Sequence, residues 1–127
     1  MIALLAATAL AGDDGDIDKL SKAATGCDRP AMSRAWDDEV KRRSGFVVSA
    51  FKEQSAITAE RQALVDRRRK SRSPGPAESE AALAAVGLDL DDRQRALDDQ
   101  RRLDTMRQEA VGYFRQLFLT RCNGRDL

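Results

Sequence analysis

From Ala31 to about Lys70 the chain has no proline, and Trp36, Val40, Val47, Ala50, Ile57 and Leu64 recur at spacings of three, four and seven. That period keeps side chains on one face of an α-helix and is the seam spacing of a coiled coil. Asp28-Arg29-Pro30 marks the start, with Asp28 as N-cap and Pro30 in the first turn. Arg43, Gln54 and Arg61 interrupt the stripe. Gly45-Phe46-Val47-Val48 has some strand propensity, but it lacks alternation and lies within helical sequence, so helix is expected throughout.

Ser73-Pro74-Gly75-Pro76 is the strongest helix-breaking stretch and predicts a turn at 73–77. Beyond it, Glu78 to Val86 is Ala-rich and helical, Gly87 is read as a break, and Asp89 as a cap for a renewed helix. The expected seam of this second arm is Ala96, Leu103, Met106, Ala110, Tyr113 and Leu117, flanked by Val111, Phe114 and Phe118. Asn123-Gly124 is a stop signal just after Cys122.

The fold class expected is all-α: a long antiparallel helical hairpin, coiled-coil-like, with its second arm broken near Gly87. In such a hairpin, residues equidistant from the turn lie opposite one another. The two cysteines, Cys27 and Cys122, are equidistant from residue 74.5, inside the Pro-Gly-Pro stretch. A disulfide needs Cα atoms within about 7 Å, so the register predicts a bridge closing the open end. Closing a loop near one hundred residues contributes about 4.7 kcal/mol in the chain-entropy account. The same register places Trp36 opposite Tyr113 and Phe46 opposite Leu103.

Residues 1–11, Met-Ile-Ala-Leu-Leu-Ala-Ala-Thr-Ala-Leu-Ala, are apolar and uncharged, too short for a bilayer span of about 20 residues. Ala9-Leu10-Ala11 has the small residues of a signal-peptidase site, so an export signal cleaved near Ala11 is expected, although no Lys or Arg precedes the apolar run. Residues 12–26 are polar and acidic, and are expected to form a flexible leader before a single hairpin domain over 27–127. An exported chain with two cysteines pairs them in an oxidising compartment, which points to a periplasmic or secreted protein.

Composition sharpens the functional reading. The 127 residues are 34% charged yet carry a net charge of only +1, which denies nucleic-acid binding the large basic excess that usually drives it. There is no histidine, the commonest general base and transition-metal ligand, and no serine stands in a nucleophile elbow. No catalytic residue, cofactor or metal is therefore assigned. Asp14, Asp16 and Asp18 alternate like a calcium loop, but Lys19 occupies the required glycine position.

Two surfaces remain as candidates. Trp36, Phe46, Tyr113, Phe114 and Phe118 gather near the cysteines in numbers that two helices do not cover, and are the expected docking surface for a protein partner or a second copy. Arg67, Arg68, Arg69, Lys70 and Arg72 form a basic run suited to anionic lipid or lipopolysaccharide. Gln108 to Cys122, a helical stretch running into a cysteine, loosely resembles the helical lysozyme-inhibitor-type domains of bacterial envelopes. Those domains place Trp and an Arg-Asp pair before the cysteine; Phe118-Leu119-Thr120-Arg121-Cys122 lacks the Trp and Asp, so inhibition is not carried over. The leading expectation is a non-enzymatic interaction or structural protein of the cell envelope. An envelope chaperone or enzyme inhibitor is the first alternative, and a cytosolic coiled-coil adaptor touching nucleic acid the second.

Overall fold

The computed structural model describes residues 13–72 and 79–122. Three helices occur there: α1, Asp13–Thr25; α2, Arg29–Ser71; and α3, Glu80–Arg121. The turn expected at 73–77, the stop at Asn123-Gly124 and the apolar run 1–11 lie outside the described residues.

Each helix end has a local cause. Asp28 caps α2 by accepting the Ala31 N–H at 3.1 Å, and Ser79 caps α3 by accepting the Ala82 N–H at 3.1 Å. The amino end of the second arm is therefore Ser79, and α3 runs unbroken through Gly87, correcting the expected break there and the cap at Asp89. A lone glycine costs a helix only about 1 kcal/mol, and the packing of the turns on either side outweighs it.

The expected polar leader is also different. Within residues 12–26, Ile17, Leu20, Ala23 and Ala24 fall on one helical face, and Leu20, Ala23 and Ala24 are buried. The physical reason is that the face exists only against the other helices; in isolation 13 residues are too few for a stable helix. α1 closes with the Asp28 N–H donating to the Ala23 carbonyl at 3.0 Å, a Schellman-type closure. Its left-handed position is held by Cys27, φ 53°, rather than by glycine.

The chain divides into two compact units, Met1–Ser44 with Asp104–Leu127, and Gly45–Leu103. In the first unit α1 packs with the start of α2 and the end of α3 around Leu20, Ala24, Met32, Val111 and Phe118. In the second, α2 and α3 alone enclose Ala50, Ile57, Leu64, Leu83, Leu90 and Leu97. The two long helices are antiparallel in both. Gln54 pairs with Gln94 and Arg61 with Asp91 in the second unit, while Glu39 meets Arg107 and Arg42 meets Asp104 in the first. As numbers rise on α2, partners fall on α3, as the hairpin requires.

The seam of the first arm is as expected at Ala50, Ile57 and Leu64, but Val40 and Val47 are about half exposed. The seam of the second arm is not the one expected. Leu83, Leu90, Leu97, Asp104, Val111 and Phe118, each seven residues from the next, are the buried line, and Leu103, Met106 and Tyr113 lie outside it. Two heptad stripes compete on α3. The true one was obscured because Asp104 places a charge in it and because a break at Gly87 would have detached Leu83 from Leu90.

Candidate functional site

The disulfide joins Cys27 to Cys122 with Cα atoms 5.6 Å apart. It ties the turn between α1 and α2 to the end of α3, within the first unit. Cys27 is exposed and Cys122 half-buried, so the bridge lies at the surface of that unit.

Further along α2 and α3 in the same unit stands a charged network that the heptad pattern itself produces. On α2, Glu39 lies seven residues after Met32 in the buried line; on α3, Asp104 lies seven before Val111. Both carboxylates are buried, and both are answered by arginine. Arg42 donates to Glu39 at 2.7 and 3.0 Å and to Asp104 at 2.8 Å. Arg107, itself largely buried, donates from Nε to Glu39 at 3.0 Å. Arg43 and Gln108 complete the shell of Asp104 at 3.2 and 2.5 Å. Burial by itself raises the Glu39 carboxyl pKa, but the hydrogen bonds from Arg42 and Arg107 and the charges of both outweigh it, and the net shift is downward. The Arg42 guanidinium is held further toward its charged form, chiefly by its bond to Glu39. Sequence inspection missed this network; the signal was an acid at a seam position in each arm with arginines three residues away.

A groove of about 830 Å³ runs along the same unit. Its floor is apolar, with Ile17, Leu20 and Ala35, and its rim bears both signs, with Lys19, Arg34 and Asp38 among the charges. Such a mixed rim fits no single class of charged ligand. Among the described residues, no group of three or more acidic or cysteine side chains is placed to hold a metal ion.

The residues expected to form an aromatic docking surface separate by burial. Phe118 is fully buried (0% exposed) in the core of the first unit, so its assignment to a partner surface is corrected. It completes the heptad line of α3, and a ring of that size is the natural filler at the stapled end. Phe114 and Trp36 are half-buried against the same core. Trp36 carries the Arg115 guanidinium 4.7 Å above its ring, a cation–π contact. Phe46 packs against the core of the second unit. Only Tyr113 is outward, 63% exposed, with its ring edge-on to Phe114 at 5.2 Å between centroids.

The basic run is divided as well. Arg69, Lys70 and Arg72 are exposed, whereas Arg67 and Arg68 are half-buried. The Arg68 guanidinium lies over Gly87, with Nη2 3.6 Å from the position a Cβ would occupy there. Part of the cluster thus packs on α3. Elsewhere in the second unit Arg93 bridges Glu53, at 2.9 Å, and Glu60. Burial opposes its charge, but bonds to the two carboxylates prevail and its pKa is raised.

No helix among the described residues is long and apolar enough to cross a membrane. Compared with known proteins, the chain matches no family model, no curated protein and no solved structure.

Proposed function

We propose that this chain is a small exported, non-enzymatic helical protein of the cell envelope whose work is to bind another protein. The observation that carries the reading is exposed apolar surface in both units. In the first, Val40, Met106 and Tyr113 stand outward; in the second, Val47, Phe51 and Leu103 do so. Scattered apolar residues need no explanation, but large ones recurring along the same helices mark interaction faces. Export is supported by the disulfide, which persists in oxidising compartments, together with the apolar run 1–11.

The test has two arms. Mass measurement of the native protein should find residues 1–11 removed and the two thiols paired; an intact N-terminus with free thiols contradicts export. Affinity capture from envelope extract, with wild type against Tyr113→Asp and Met106→Asp, should show a partner that both variants lose. These side chains are exposed, so the variants should fold and melt as wild type does. No captured protein in any arm and a strictly monomeric chain would end the interaction reading.

A contact with anionic lipid is favoured by the exposure of Arg69, Lys70 and Arg72. Binding to phosphatidylglycerol vesicles that disappears in the triple alanine variant supports it, and equal binding by both proteins refutes it.

A further inference from the structure

We infer that a second copy of this chain docks antiparallel on one face of α2, centred on Ser55. The inference deepens the interaction reading above and rests on it. The face lies wholly in the second unit. Val47, Phe51, Ser55, Thr58, Ala59 and Gln62 are spaced by three and four and share one side of the helix. All six are exposed, Phe51 at 72%, and none is charged in a chain that is 34% charged. A solvated helix face in such a chain would be expected to carry Lys, Arg, Asp or Glu.

The shape of this face identifies the occupant. Phe51 projects as a knob at one end. Next to it lies a shallow depression floored by the small side chains of Ser55, Thr58 and Ala59, with Gln54, Gln62 and Arg101 at its edges. A two-fold interface requires a patch complementary to itself: if residue i fills a site made by j, then j must receive i from the other copy. An axis beside Ser55 places Phe51 of each copy over Thr58 and Ala59 of the other, with Val47 approaching Gln62. Two rings then fill two depressions by knobs-into-holes packing. The absence of charge among these six side chains matters equally close to the axis, where a side chain meets its own copy and a charge would meet its like; the one charge beside the depression, Arg101, stands at its edge. A face about 24 Å long, sixteen residues at 1.5 Å each, is short for a specific interface. The dimer is therefore weak and concentration-dependent.

Sedimentation equilibrium of the full oxidised chain, up to about 0.5 mM, should show a monomer–dimer equilibrium. Phe51→Asp should weaken it by roughly tenfold or more, as expected for an aromatic anchor, with unchanged helicity and melting. Ser55→Cys should form intermolecular disulfides readily, and Ser49→Cys, exposed but on another side of α2, should not. A dimer that survives Phe51→Asp overturns the inference. So does a wild-type monomer at the highest concentration; if that monomer still captures a partner from extract, the interaction reading stands without this pairing, and if it captures nothing, both fall.

Discussion

Single side chains decide more here than their number suggests. Glu39 is the clearest case, because it is buried, ionised and held by Arg42 and Arg107. Its carboxyl pKa is lowered in the folded state, so the stability it contributes is complete above its ordinary value near 4.5 and is lost as pH falls through the lowered folded value. Glu39→Gln should cost about 1.5–3 kcal/mol near neutral pH, since charged hydrogen bonds are lost while the arginines stay in place. It should also flatten the decline of stability on acidification. Urea midpoints measured from about pH 6 down to pH 3 would show this as converging curves; parallel curves would mean that Glu39 does not supply the acid sensitivity. Cys27 offers a second test at this scale. With Cys122→Ser as common background, Cys27→Gly should be more stable than Cys27→Ala by about 1 kcal/mol, because the left-handed φ of 53° penalises a Cβ.

At the scale of the helix, Gly87 is the instructive residue. As a sequence feature it reads as a break; in the fold it is an interior position of α3 without a left-handed φ. A Cβ there would sit 3.6 Å from Arg68 Nη2 and 3.7 Å from Leu64 Cδ2, ordinary contact distances. Gly87→Ala should therefore raise stability by about 0.5–1 kcal/mol through helix propensity, read as a higher thermal midpoint. A lower midpoint would mean that the close passage of α2 needs the missing side chain. Leu90→Ala, by contrast, empties a fully enclosed seam position and should cost about 2–5 kcal/mol. The same pair of residues explains what was legible in the sequence. Helix content, antiparallel pairing, the Asp28 cap and the Cys27–Cys122 bridge followed from proline placement, cap chemistry and symmetry about the turn. The correct stripe of α3 did not, because Ala96, Leu103, Met106, Ala110 and Tyr113 have the same heptad period as the buried line. Periodicity gives the angle between side chains and not which angle faces the neighbour. Only Leu83 and Leu90, set aside by the supposed break, could have chosen between them. α1 was missed for a related reason: four apolar residues among many polar ones have meaning only once two other helices supply the surface they cover.

For the molecule as a whole, the bridge and the two apolar clusters set where stability resides. The disulfide lies entirely in the first unit, tying α1 and α2 to α3, while the cluster of Ile57, Leu64, Leu83 and Leu90 contains no cysteine and closes on its own side chains. Replacing both cysteines by serine should lower the free energy of unfolding by up to the loop-closure term, about 4.7 kcal/mol for a separation near that of these cysteines, read as a lower denaturation midpoint. The loss should not be uniform. Leu20, Ala23 and Ala24 are buried on a short helix, and the nearby covalent tie is removed. Opening α1 costs only the contacts of that face, so its amides should exchange with solvent first and those near Phe118 next. Amides around Ile57 and Leu90 should keep protection close to that of the oxidised protein, because their packing contains neither sulfur nor α1. Hydrogen exchange followed by mass spectrometry on the two proteins gives the answer residue range by residue range. Equal loss of protection over α1 and over residues 57–64 would mean that the bridge acts on one cooperative structure through the unfolded chain. Selective loss over α1 would make the staple a local clamp, holding onto the fold a helix too short to stay there by its own contacts.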